Sequence, residues 1–141
     1  MHPAVGSAGG IADFTGTTVF VPPAASFDYL SMQKSSLTAL ARQHLTLAQN
    51  ASSGRSAHTV YGGHEHVLRQ TLMALTAGQQ LDEHENPGEA TVHVLHGRVR
   101  LGAGDTSWDG SSGDLLIVPD GRHTLEALEA AAVLLTVAKH R

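Results

Sequence analysis

The stretch Asp82-Glu-His-Glu-Asn-Pro-Gly-Glu-Ala-Thr-Val-His-Val-Leu-His-Gly97 decides the fold of this chain. Residues 82–86 are polar and are followed by Pro87-Gly88. A β-favouring run then follows and ends at Gly97. A second stretch follows after the linker 98–112: Gly113-Asp-Leu-Leu-Ile-Val-Pro-Asp-Gly-Arg-His123. It again has a short apolar run between turn residues. Two such stretches predict short antiparallel strands separated by tight turns.

The same pattern continues on both sides of these stretches. Short runs of β-favouring residues alternate with Gly-rich turns from residue 55 to the end of the sequence. Regular strands of this length indicate a sandwich or a barrel. The predicted strands are 56–61, 65–76, 90–95, 98–101, 106–108, 114–118, 123–128 and 131–138.

The first 54 residues differ from the rest. Residues 1–30 form an arm rich in Gly, Ala and Pro, with one β-favouring run, Thr17-Thr-Val-Phe-Val21, that a Pro-Pro pair ends. Residues 35–49 carry Leu and Ala at helical spacing after a serine cap, which predicts an amphipathic helix. We therefore expect an N-terminal part, 1–54, and a β part, 55–141, in one folded unit. The arm could pair with an edge strand of its own barrel or of a partner, and the second pairing would form the homodimer that we expect.

Composition excludes several classes of function. The chain has 141 residues, a net charge of −4 and no cluster of Lys and Arg, so neither nucleic acid nor an anionic membrane is an expected partner. It contains no Cys, so any metal must be bound by His, carboxylate, amide or water. The start lacks a secretory pattern and the longest apolar run, 130–135, is far too short to span a bilayer, which predicts a cytoplasmic protein.

The two stretches resemble the two motifs of the cupin superfamily. The first cupin motif runs from a Gly through His-x-His and a Glu to a second Gly, and Gly78, His84 and Gly97 occupy that frame. Asn86 stands where the family has its second His, and Ala90 stands where it has its Glu. The resemblance implies an all-β fold: a single cupin jelly-roll barrel with an N-terminal arm and one amphipathic helix.

The second motif is matched in the same way. Gly113, Pro119 and Gly121 stand at its Gly and Pro-x-Gly positions, whereas His123 arrives one residue early. The glycines and the proline thus match the family better than the metal ligands do. The sequence supports the fold more strongly than it supports the site.

The resemblance implies a site inside the barrel, where cupins commonly hold a metal or an organic ligand. Alternate side chains of a strand point to one face, so residues 84 and 86 can converge, with His123 joining from another strand. Imidazole ligands suit Fe, Mn, Zn, Ni or Cu. The usual carboxylate is missing at 90, and Glu89 would replace it if the Pro87-Gly88 segment bulged. The predicted metal ligands are therefore His84, His123, Asn86 and Glu89.

Two alternatives stay open at this point. His64 or His66, beside a Gly-Gly turn, could reach the same cavity from a neighbouring strand. The site could also hold no metal, because Asn86 is a weak metal ligand but a good hydrogen-bonding group for an organic molecule. Arg69 and Gln70 are adjacent in a predicted strand, so one of them should face the barrel interior or a partner subunit, and an inward arginine would suit a carboxylate.

The predicted function follows from these residues. We expect a small cupin-domain protein that binds a divalent metal, a small polar ligand or both inside the barrel. The ligand-binding residues would be Asn86, Arg69, His84 and His123. The alternative is a binding or sensing cupin that uses no metal, and a purely structural module is the third class. The sequence does not decide whether the protein is an enzyme; a metal cupin would imply oxygen activation or isomerisation.

Overall fold

The described residues form two β-sheets and one helix. In a computed structural model of the chain, residues 32–85 and 88–139 are described, and for 82–85 the description covers the backbone alone. The predicted arm at 1–30 lies outside these residues. The elements are α1 (Leu37–Asn50), β1 (Arg55–Tyr61), β2 (Leu68–Leu75), β3 (Gln80–Glu85), β4 (Gly88–His96), β5 (Arg98–Ala103), β6 (Thr106–Ser111), β7 (Leu115–Val118), β8 (Arg122–Ala127) and β9 (Ala131–Lys139).

The strands divide into two antiparallel sheets. The first sheet has the order β1-β2-β9-β4-β7, and the second has the order β3-β8-β5-β6. Their inner faces pack against each other. In the described residues no strand pairing joins the two sheets into one closed barrel, so the architecture is a sandwich with β6 and β7 as open edges on one side. The predicted all-β class is confirmed.

The core lies between the inner faces of the two sheets. In β4, Val92 and Val94 are almost fully buried, while Thr91 and His93, which alternate with them, point to the outer face. In β5, Val99 and Leu101 are buried and alternate with Arg98 and Arg100, which reach Asp109 on the water-facing side. This alternation produces one continuous apolar layer. Its buried members are Leu75, Ala90, Val92, Val94, Val99, Leu101, Val118, Leu125, Ala127, Ala131, Val133 and Val137.

The helix begins as the sequence predicts. The Ser36 hydroxyl accepts a hydrogen bond from the Ala39 backbone N–H at 3.1 Å, which is an N-cap contact. The buried positions of the helix are Ala41, His44 and Ala48, which share one stripe. The helix contacts the outer face of the first sheet through His44 on this stripe, which bonds Ser56 of β1.

Contacts within the chain define two compact units, Met1–Ala39 and Leu40–Arg141. The described part of the first unit, 32–39, contains the Ser36 cap and the start of α1. The second unit contains the rest of the helix and both sheets. Among the described residues, no helix is both long enough and apolar enough to cross a membrane.

The predicted strands are present, with shifted ends. The second one was expected from residue 65, but β2 begins at Leu68 because residues 62–67 form the turn after β1. One strand was missed: β3, with the sequence Gln-Leu-Asp-Glu-His-Glu, carries a single apolar residue and lacks the alternation that marks a half-buried strand.

The motif glycines have a common backbone role. Gly78, Gly97, Gly113 and Gly121 all have positive φ, a region that residues with a side chain rarely adopt. At Gly97 φ is 81°, and an added Cβ would lie 2.1 Å from the carbonyl oxygen of Ala130. The turn between β4 and β5 therefore needs a residue without a side chain, both for its conformation and for its space.

Replacing Gly97 with Ala tests this double requirement. Gly104 is the matched control, because its φ is 61° and nothing lies within 4 Å of an added Cβ. We expect Gly104→Ala to lower the free energy of unfolding by about 1 kcal/mol, from backbone strain alone. Gly97→Ala should lower it by about 3 kcal/mol or more, because the strand must move. Urea unfolding of both variants measures the difference, and equal losses would contradict the close approach at Ala130.

Candidate ligand site at one end of the sandwich

His123 lies on the inner face of the second sheet. In the β3–β8 register its Cα pairs with that of His84, and it precedes the inward-facing Leu125 by two residues. Its side chain is 6% exposed. The two predicted anchors therefore do meet across neighbouring strands at the level of the backbone, although the side chain of His84 is not among those described.

The space beside His123 is small and apolar. A cavity of about 20 Å³ lies between the sheets, enough for roughly one water molecule. Apart from His123 its lining is Met73, Leu81, Val92, Leu101, Leu125, Val133 and Leu135. The middle of the sandwich is therefore filled by its own side chains, and a ligand larger than water needs space closer to the end of the sheets.

Strand register shows which residues share the His123 end. Ala127 marks the opposite end of the sandwich, because its carbonyl accepts a hydrogen bond from the Gly78 N–H in the turn after β2. In the first sheet, Leu135 of β9 lines the cavity. The next inward residue of β9 toward the His123 end is Val137, and it pairs with Arg69 of β2. His123 is likewise the next inward position after Leu125. Arg69 and His123 thus belong to the same end of the sandwich.

Arg69 is an inward-facing cation in an apolar layer. It pairs with Val137 of β9, which belongs to the core, and Val137 pairs in turn with Ala90 of β4. The Arg69 Nε is buried and has no hydrogen-bond partner among the described residues. Of the two candidates at 69 and 70, the arginine is therefore the inward one, and Gln70 bonds Thr136 on the outer face instead.

The structure does not bring Glu89 to this end. Between Gly88 and Val94 the pairing of β4 with β9 is regular, so the bulge that would turn Glu89 inward is not present in that part of the strand. Glu89 is exposed and pairs with Ala138 on the outer face. Asn86 lies outside the described residues. Among the side chains that are described, no group of three or more His, Asp or Glu residues comes together to bind a metal.

His64 and His66 do not reach the cavity either. Both lie in the turn between β1 and β2 rather than at alternating positions of a strand. His66 accepts a hydrogen bond from the Gly63 N–H and packs edge-on against Tyr61, and the His64 carbonyl accepts a bond from the Lys139 ammonium. The histidine pair thus shapes the turn.

A second concave surface was missed at the sequence level. It lies at the open side between β6 and β7, where Trp108 is 69% exposed and Ile117 is 70% exposed. The groove has a volume of about 510 Å³, and Leu101 separates it from the cavity beside His123. Among the described residues no charged side chain lines it; the described lining is Leu101, Ala103, Thr106, Trp108, Leu115, Leu116, Ile117 and Pro119. Trp108 pairs with Leu101 and therefore lies on the inner face of the second sheet. The turn residues around Trp108 gave no sequence pattern that would indicate this face.

Several solved structures resemble this chain. A cupin superfamily protein from Desulfitobacterium hafniense DCB-2 has a TM-score of 0.63 at 16% identity, covering 79% of this chain and 95% of that one. An RmlC-like cupin from Desulfovibrio desulfuricans has a TM-score of 0.52 at 26% identity, covering 60% and 81%. A conserved protein of unknown function from Streptococcus pyogenes has a TM-score of 0.59 at 27% identity, covering 64% and 79%. No protein-family model and no curated protein matches the chain.

These likenesses support the resemblance that the two motifs indicated. The chain has the fold of the solved cupin structures. The fold does not decide the chemistry, because one fold carries many functions.

Exchanging Arg69 for Met tests whether the arginine contributes to stability. A buried donor without a partner costs about 1–3 kcal/mol, so Arg69→Met should leave the free energy of unfolding unchanged or raise it by up to that amount. The control is Arg55→Met, because Arg55 donates to the Gln80 carbonyl at 2.8 Å and to Gln79 at 3.3 Å. That variant should lose about 0.5–1 kcal/mol. A loss above 1 kcal/mol in Arg69→Met would show that this arginine serves the fold.

Proposed function

We propose that this cupin-fold chain binds a small organic anion, a carboxylate, at the His123 end of the sandwich. The observation that carries the proposal is the buried Arg69 Nε, which lacks a hydrogen-bond partner among the described residues. A guanidinium is permanently charged and cannot relieve its burial by losing a proton. A bound carboxylate would supply both the missing acceptor and the opposite charge.

The surroundings of Arg69 favour a carboxylate over a neutral ligand. The neighbouring inward residues, Val137 and Ala90, are apolar and buried. In such a low-dielectric layer an ion pair is stronger than in water, and a guanidinium can bind a carboxylate through two parallel hydrogen bonds. The charge of the ligand would therefore be recognised at one residue, while the filled interior would limit its size.

His123 supplies the second contact in this proposal. It is buried on the opposite sheet at the same end, and an imidazole can donate to a ligand oxygen or accept from a ligand hydroxyl. His84, whose backbone pairs with His123, and Asn86 are proposed from their sequence positions to complete the site. No reaction is proposed, because binding alone accounts for the described residues.

The described residues do not fit a divalent metal. His123 is the one predicted metal ligand with a described inward side chain, since Glu89 faces outward. Arg69 at the same end would also repel a cation. We therefore derive no role for Fe, Mn, Zn, Ni or Cu. The thermal-unfolding experiment described below includes these metals as a comparison.

Two further predictions from the sequence accompany this proposal. We propose that the chain is cytoplasmic and forms a homodimer, on its composition and on the apolar open edge between β6 and β7. Gel filtration at two protein concentrations would test the dimer.

Thermal unfolding in the presence of carboxylates tests the proposed function. The probes are formate, acetate, malonate, succinate and benzoate, each compared with chloride at equal ionic strength. At a concentration 100 times its Kd, a ligand of the folded state adds about 2.7 kcal/mol of stability, which raises the melting temperature by several degrees. We expect at least one carboxylate to do so in the wild type and to lose the effect in Arg69→Met.

Arg55→Met is the matched control, because it removes a surface arginine and should keep the carboxylate effect. A shift that survives in Arg69→Met would place the anion elsewhere. A wild type that ignores every carboxylate but is stabilised by one of the five metals, with or without Arg69, would replace the anion proposal by the metal one.

A further inference from the structure

Two histidines lie at the contact between α1 and the first sheet. His44 is 7% exposed, and its Nδ1 lies 2.5 Å from the Ser56 hydroxyl of β1. The ring of His58, also on β1, stands 5.4 Å from that of His44, centre to centre, at an angle of 48°. The contact is thus built around an imidazole pair and one hydroxyl. This site is unrelated to the proposed anion site, which lies on the inner face of the same sheet.

The apolar part of this contact is modest on the helix side. The buried helix residues besides His44 are Ala41 and Ala48, whose methyl groups bury little area. The outer face of the sheet, in contrast, is strongly apolar: Leu72 and Ala74 of β2 and Ala132 and Leu134 of β9 are all buried. The attachment of the helix to β1 therefore depends on the polar cluster, and the buried stripe of the helix adds only small apolar side chains.

No acidic side chain in the packed elements can balance a positive charge there. Neither Asp nor Glu occurs in α1, β1, β2 or β9. The other charged groups of these elements are Arg42 on the helix and Arg55, both exposed, Arg69 on the inner face, and Lys139 at the end of β9, beside the β1–β2 turn. The outer face of β4 carries His93 and Glu89, three strands from His58, which is about 14 Å or more.

Protonation of the pair is therefore unfavourable in the folded state. Burial lowers the pKa of both His44 and His58 below the ordinary value, and the neighbouring His58 lowers the pKa of His44 further. In an unfolded or detached segment both rings would titrate near 6.5. The detached form thus binds more protons as pH falls below 6.5, so the attachment is complete above that pH and weakens below it.

We propose that α1 is attached to the first sheet through an acid-sensitive contact: protonation of His44 and His58 separates the helix from the outer face of β1. The sheets should stay packed, because the described core cluster between them consists of apolar side chains. The effect would be local, reversible and confined to mildly acidic solution.

Hydrogen exchange of the full chain between pH 7 and pH 5 tests this proposal. Protection factors, corrected for the intrinsic effect of pH, should fall about tenfold or more for the amides of 41–50, since each unit of pKa difference contributes up to tenfold. Amides of β4 and β9 should keep their protection. Constant protection of the helix, or an equal loss in helix and sheets, would overturn the proposal.

Two variants separate the histidine pair from general acid sensitivity. His44→Gln combined with His58→Gln removes both titrations, so the drop in helix protection between pH 7 and pH 5 should disappear. His93→Gln is the control and should keep the drop. A persistent drop in the double variant would overturn the proposal.

A second measurement covers the case in which the double variant fails to fold. In the wild type, the NMR ring signals of His44 and His58 should titrate below 6.5, together with the loss of helix protection. Rings that titrate at 6.5 while the helix stays protected would overturn the proposal as well.

Discussion

The inner faces of two antiparallel sheets fill the middle of this molecule with valine and leucine side chains. Val92, Val94 and Val133 of the first sheet oppose Val99, Leu101 and Leu125 of the second, and they leave a cavity of about one water molecule between them. Close packing of this kind supplies most of the driving force for a chain of 141 residues that contains no disulfide. Because the middle is filled, a ligand larger than water could bind only toward an end of the sandwich, where polar residues interrupt the apolar layer.

The first sheet illustrates how two different polar groups can be tolerated on one apolar framework. Arg69 faces inward at the His123 end, and its buried Nε has no hydrogen-bond acceptor among the described residues. The imidazoles of His44 and His58 lie on the outer side, where burial lowers the pKa of both rings and so favours their neutral forms. The sheet separates the two sites, so a change of pH and a change of ligand would act on opposite faces of the same strands.

Much of the fold could be predicted because it rests on local rules. The alternation in β4 and β5 assigns inner and outer faces, and the motif glycines occupy turns with positive φ, which few other residues can adopt. Those backbone requirements explain why the glycines match the cupin motifs more closely than the ligands do. The strand β3 was missed because its sequence is polar, and its pairing with β8 is set by tertiary structure rather than by local preference.

The site was harder to predict, because it depends on register. A shift of one residue moves a side chain to the other face, so Glu89 could be assigned inward only by assuming a bulge that the regular pairing from Gly88 to Val94 does not show. Either Arg69 or Gln70 could face inward as far as the sequence shows, and the pairing of Arg69 with Val137 decides between them. The inward position of Trp108 follows from its pairing with Leu101, which no local pattern around residue 108 indicates.

The most direct test of the account is the NMR signal of the Arg69 Nε–H group in the ligand-free chain and during titration with a carboxylate that stabilises it. The account predicts a signal that moves in a saturable manner as the carboxylate binds, with His123 ring signals moving at the same concentrations. An Arg69 signal that stays fixed while the melting temperature rises would contradict the assignment of this arginine as the anion-binding residue.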